Sequence, residues 1–111
     1  MSIKELINAL QAKQIVFKDV LAFIEDRYIY QSSAFDNGSQ YNAENENQGS
    51  AKVLFFAKLN GLDKESTLGL FAEHYEAVLS NPDGVDHKNI RQFQLHGWDG
   101  VKFENEVLTS K

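Results

Sequence analysis

The chain has 111 residues, a formal net charge of −5 and no cysteine. Its 42% apolar and 24% charged residues strike a globular balance, with enough material for one core and too much apolar content for wholesale disorder. The missing thiol excludes disulfides, thiolate metal sites and cysteine nucleophiles, and the acidic balance with scattered Lys and Arg argues against nucleic acid or an anionic membrane as partner.

Ser2-x-x-Glu5 has the form of a capping box, and Ile3, Leu6, Ile7 and Leu10 follow at helical spacing. They predict a first helix ending near Gln14. Lys4, Glu5 and Asn8 interrupt that stripe, so no secretory leader is read there, and the longest apolar run, 53–57, is too short to cross a bilayer. A cytoplasmic location is the resulting expectation. Phe17, Val20, Leu21 and Ile24 predict a second helix over 16–26, paired with the first as an antiparallel hairpin because the joint is short. Tyr28, Ile29 and Tyr30 have β-propensity and read as a short strand.

Residues 32–50 read as a long polar loop, with a turn at Asp36-Asn37-Gly38-Ser39 and an Asn/Glu-rich stretch over 42–48. Ser50 reads as the N-cap of a helix that Asn60-Gly61 ends. That helix is apolar all round except at Lys52 and Lys58, which places it at the centre of the fold. Asp63 reads as the cap of one further helix running to about Ser80, with Leu68, Phe71, Tyr75 and Val78 as its stripe, and Asn81-Pro82-Asp83-Gly84 stops it. Asp86 is expected to cap a last helix over 87–96, with Ile90 and Phe93 inward and Gly97 at its end. Val101, Lys102 and Phe103 alternate as a strand expected to pair with Tyr28, Ile29 and Tyr30, since a lone strand leaves its backbone unpaired.

Two polar groupings stand out. Asp83, Asp86, His87, Asn89 and Arg91 form the densest one, with His87 and Arg91 four apart and so on one helix face. An Arg fork beside an imidazole suits an anion or carboxylate, whereas a cap and local ion pairs explain the same residues without a ligand. Asn47-Gln48-Gly49-Ser50 opens a helix whose first amides favour an anion, with Lys52 in the first turn; Ser50 acting merely as a cap is the plainer account. His74, His87 and His96 match no metal-ligand spacing, so no metal is read from them. Trp98 is either an exposed anchor or a plug beneath the last turn, and Tyr75 is expected to approach the last helix.

The string Asn47-Gln48-Gly49-Ser50-Ala51-Lys52, then Leu68, Phe71 and Tyr75, then Pro82-Asp83-Gly84 with Asp86-His87-Lys88-Asn89-Ile90-Arg91, Phe93 and Gly97-Trp98 resemble the HopJ type III effector family, as do Tyr28, Phe35, Asn37 and Gly38. The resemblance covers most of the chain from about Phe17 onward. The family often carries Glu and Cys where this chain has Gln48 and Ala51, so a role built on that thiol is excluded here. The resemblance implies a small domain first named among proteins delivered by type III secretion, and it implies no known activity.

The expectation is an α+β, mainly helical single domain over 1–111, with about five helices and a small antiparallel two-stranded β element. No cofactor is implied, and a monomer is expected. Without a catalytic motif, the first functional reading is a small binding or regulatory module with a protein partner. A second is a small-ligand domain for an anion or carboxylate, or an enzyme, using His87 and Arg91. A third, from the resemblance alone, is a secreted effector. Candidate ligand contacts are Asn47, Ser50, Lys52, Tyr75, Asp86, His87, Arg91 and Trp98.

Overall fold

The computed structural model describes the whole chain, Met1–Lys111. Six α-helices and five short strands follow the order α1 (Ile3–Gln11), α2 (Phe17–Arg27), β1 (Tyr28–Tyr30), β2 (Phe35–Asn37), β3 (Gln40–Asn42), α3 (Gln48–Leu59), α4 (Lys64–Gly69), α5 (Glu73–Ser80), α6 (Lys88–His96), a 3₁₀ turn (Gly97–Gly100), β4 (Val101–Phe103) and β5 (Leu108–Ser110). The class is α+β with a helical majority, as expected.

α3 is the hub. Val53, Leu54, Phe56 and Ala57 are fully buried, and Phe55 nearly so. A helix apolar on all sides loses that surface to water unless neighbours surround it. α2 packs on it through Val20, Phe23 and Ile24, with Phe23 edge-on to Phe56 at 5.9 Å. The buried rings each remove enough area for on the order of 2–3 kcal/mol of transfer free energy.

α1 opens on the expected capping box: Ser2 Oγ accepts from the Glu5 amide at 3.1 Å and Glu5 Oε1 from the Ser2 amide at 2.9 Å. It ends at Gln11, earlier than expected, because Lys13 turns left-handed at φ 58° and the Gln14 amide closes on the Ala9 carbonyl. Its main helical partner is α4 rather than α2, although a terminal nitrogen of Arg27 at the end of α2 donates to the Met1 carbonyl ahead of α1.

The helix expected from Asp63 to Ser80 is two helices. In one continuous helix Leu68 and Leu70 would point about 200° apart, and only one would face the core. The chain breaks instead at Leu70, Phe71 and Ala72, and Leu68, Leu70 and Phe71 are all buried. Asp63 caps the first piece, its Oδ1 accepting from the Ser66 amide at 2.8 Å.

The β elements also differ from expectation. Residues expected in a loop form the β2–β3 hairpin around the Gly38-Ser39 turn, and β2 is the centre of an antiparallel sheet ordered β3-β2-β4. β4 therefore pairs with β2, Phe35 opposite Phe103, rather than with Tyr28–Tyr30. β1 pairs with β5 in a separate antiparallel ribbon, Ile29 opposite Thr109. Phe35 and Phe103 stack at 5.2 Å, and Phe55 meets Phe103 edge-on at 5.1 Å, which fixes the sheet against α3. The radius of gyration, 13.1 Å, is that of one packed body of this length.

Candidate functional site

A cleft of about 500 Å³ opens where α3 and α6 begin. Neither helix starts as the sequence suggests. Asn47, not Ser50, is the N-cap of α3, and His87, not Asp86, is the N-cap of α6. Both adopt the left-handed conformation, at φ 50° and 49°, and neither uses its side chain as a cap. Helix starts leave their first amides without intrahelical acceptors. Here Gly49 and Ser50 of one helix and Lys88, Asn89 and Ile90 of the other line the same cavity.

Asparagines hold the two starts together, Asn37, Asn42 and Asn89 buried and Asn47 at the surface. Asn89 and Asn42 exchange side-chain bonds of 3.0 and 3.1 Å, Asn47 Nδ2 donates to Asn42 Oδ1 at 2.8 Å, and Asn37 Nδ2 donates to the Asn89 carbonyl at 2.8 Å. The β2–β3 hairpin thus clamps α6 to α3. An amide pair of this kind satisfies both donors and acceptors where water is excluded, and its geometry is fixed accordingly.

The opposite wall is aromatic. Phe17 stacks on Phe71 at 6.0 Å and meets the His74 ring edge-on at 4.9 Å. His74 and His87 lie 5.2 Å apart, tilted by 41°. Glu73 Oε1 accepts from the Phe17 amide at 2.7 Å and ties the start of α2 to the start of α5.

The loop over the cleft is strapped by Arg91. Its Nε donates to the Asp86 carbonyl at 2.6 Å, one terminal nitrogen to the Pro82 carbonyl at 3.2 Å, and the other to Asp86 Oδ1 at 2.8 Å. That last bond, more than the nearby charges of His87 and Arg91, holds the Asp86 carboxyl below its usual range.

Of the expected contacts, Asn47, Ser50, Asp86 and His87 line the cleft; Lys52, Tyr75, Arg91 and Trp98 do not. Lys52 pairs with Glu25 at 3.2 Å and sits 4.3 Å above the Tyr30 ring. Arg91 is a strap rather than a free fork. Trp98 plugs the core, edge-on to Phe93 at 4.9 Å, with Nε1 donating to the Leu62 carbonyl. Tyr75 lines a different groove. Phe17, Gln40 and His74, not singled out as contacts, arrive from α2, β3 and α5 and share no sequence spacing with His87, while Asn89, two residues from His87, also lines the cleft. No three His, Asp or Glu side chains are grouped to hold a metal ion.

The model of the HopJ type III effector protein family matches residues 3–108. The chain belongs to the HopJ type III effector family. A crystal structure of a protein of unknown function, VPA0580, is similar over 100% of this chain and 95% of its own, with 44% identity and a TM-score of 0.90. No curated protein matches this HopJ-family chain. No helix of the chain is long and apolar enough to cross a membrane.

Proposed function

We propose that this HopJ-family domain binds a small molecule carrying one anionic group, in the cleft between the starts of α3 and α6. The carrying observation is that two helix starts without side-chain caps open onto one 500 Å³ concavity whose other wall is the Phe17–His74–His87 stack. Anions are favoured at helix N-termini by the exposed amides and the helix dipole. The Ser50 hydroxyl and Lys88 add a donor and a positive charge, and the rings offer a flat apolar wall for the remainder of the ligand. A volume of this size suits a small molecule rather than a protein segment, which favours this reading over a protein-docking module.

The test is an amide-resolved NMR titration with phenyl phosphate, benzoate and phenol. Phenyl phosphate or benzoate is expected to shift the Gly49, Ser50, Lys88 and Asn89 amides saturably, while phenol leaves them unmoved. His87→Asn keeps a residue that tolerates left-handed backbone but removes the ring, and is expected to weaken binding about fivefold. Absence of saturable shifts with either anion up to millimolar concentration rejects the reading.

A second reading, export as an effector, is favoured by the family description. A reporter fused to the first residues is expected to leave a bacterium only when its type III apparatus is active; retention removes this reading.

A further inference from the structure

A second groove, of about 440 Å³, runs between α1 with its 12–16 connection and the α4–α5 break. Its walls are Ile7, Leu10, Ile15, Val16 and Tyr75, of which Leu10, Ile15 and Tyr75 also pack on the main core. Its rim carries Glu65, Glu73 and Glu76 against a single Lys13. Lys13 is engaged by Glu76 at 3.6 Å, whereas Glu65 and Glu73 have no cationic partner within ion-pair distance. An apolar trough with two carboxylates lacking a cation at its mouth, one of them, Glu73, accepting only from the Phe17 amide, is complementary to a cation with an apolar tail.

We propose that this groove binds a small organic ammonium ion, its head between Glu65 and Glu73 and its tail along Leu10, Ile15 and Tyr75. A fatty carboxylate is disfavoured by the same rim. A second copy of the chain is disfavoured because each copy carries a net charge of −5 and would present it to an acidic mouth. The volume lies in the small-molecule range. This groove is separate from the cleft beside His87, and neither proposal depends on the other.

Gly69 gives a clean way to close the groove. It lines the trough, and a Cβ built on it meets nothing within 4 Å. Gly69→Leu therefore places an apolar side chain at the trough with no clash at its Cβ, and a thermal melt checks that the variant folds. The experiment is an NMR titration with n-octylammonium, n-octanoate and n-octanol below their aggregation concentrations. Octylammonium is expected to shift the Leu10, Ile15, Gly69 and Tyr75 amides saturably, with octanoate at least about tenfold weaker. Gly69→Leu is expected to abolish the shifts, and Glu65→Gln to weaken them about threefold, the scale of one exposed ion pair. Octanoate binding as well as octylammonium, full binding by Gly69→Leu, or no saturable binding overturns the proposal. So do shifts of the same amides with protein concentration alone, which would make a second copy the occupant.

Discussion

Ala72 has a backbone that its side chain opposes. It sits at φ 51°, ψ −122°, where a Cβ crowds the neighbouring carbonyl and glycine is the natural occupant. The break between α4 and α5 requires it: its amide closes on Gly69, its carbonyl accepts from Tyr75 and Glu76, and Leu70 and Phe71 are both buried as a result. Asn47 and His87 also have positive φ, but near ψ 38° and 48°, a region that Asn and His enter at lower cost. Ala72→Gly should relieve one to a few kcal/mol of strain and lose somewhat less to the greater freedom of the unfolded chain. A net gain of about 1 kcal/mol is expected, read as a raised urea midpoint at unchanged m-value. A lower midpoint would mean that the local strain is already relaxed.

At the scale of elements, the sequence is most informative where one helix meets the core along one stripe. α1, α2 and α6 are legible in the spacing of their apolar residues, and α3 in being apolar on every side, because burial decides them. The α4–α5 break is hidden because Leu68, Phe71, Tyr75 and Val78 satisfy helical spacing while Leu70, also buried, does not. The β2–β3 hairpin is hidden for another reason: its strands are three residues long and their inward positions include Asn37 and Asn42. Polar side chains read as solvated loop, yet these two are fully buried and answered by Asn89, 47 or more residues away. The same distance explains why half of the cleft was legible: the Asn47 and His87 strings are local, while their junction with Phe17 and His74 exists only in the fold. A backbone contact also pins the hairpin to the 3₁₀ turn. The Gly38 amide donates to the Gly100 carbonyl at 2.9 Å, and a Cβ at Gly100 would lie 2.8 Å from the Gly38 nitrogen and 3.0 Å from His96 Cβ. Backbone cannot yield as a flexible side chain can, so Gly100→Ala is expected to destabilise the fold by about 2 kcal/mol. Gly61 also has positive φ, at 63°, but open space around it, so Gly61→Ala should lose only about 1 kcal/mol of backbone preference. Equal losses in chemical denaturation would show that the Gly38–Gly100 approach is not tight.

Across the whole molecule, the depressed carboxyls share a place in the architecture. Glu5 is lowered by the Ser2 amide in the box that opens α1, Asp63 by the Ser66 amide that opens α4, and Asp86 by the Arg91 guanidinium that straps the loop before α6. All three favour the charged form more in the folded chain than in the unfolded one. On acidification the unfolded chain therefore takes up protons first, at the ordinary values of 4.5 for Glu and 3.8 for Asp. Their stabilisation is complete above those values and is lost as the pH falls through the lower folded values. Between pH 8 and 5 these groups predict no loss of stability, because they remain ionised in both states. Below about pH 4.5 the melting temperature should fall, since helix starts are being released one proton at a time. The double variant Asp63→Asn, Asp86→Asn separates this from a general charge effect: Asn keeps an oxygen acceptor at each place but takes up no proton. Its melting temperature should fall less steeply below pH 4 than that of the parent. Parallel curves would move the acid sensitivity away from the helix starts and the Arg91 strap, and with it the idea that these polar ends set how firmly the helices are seated on the core.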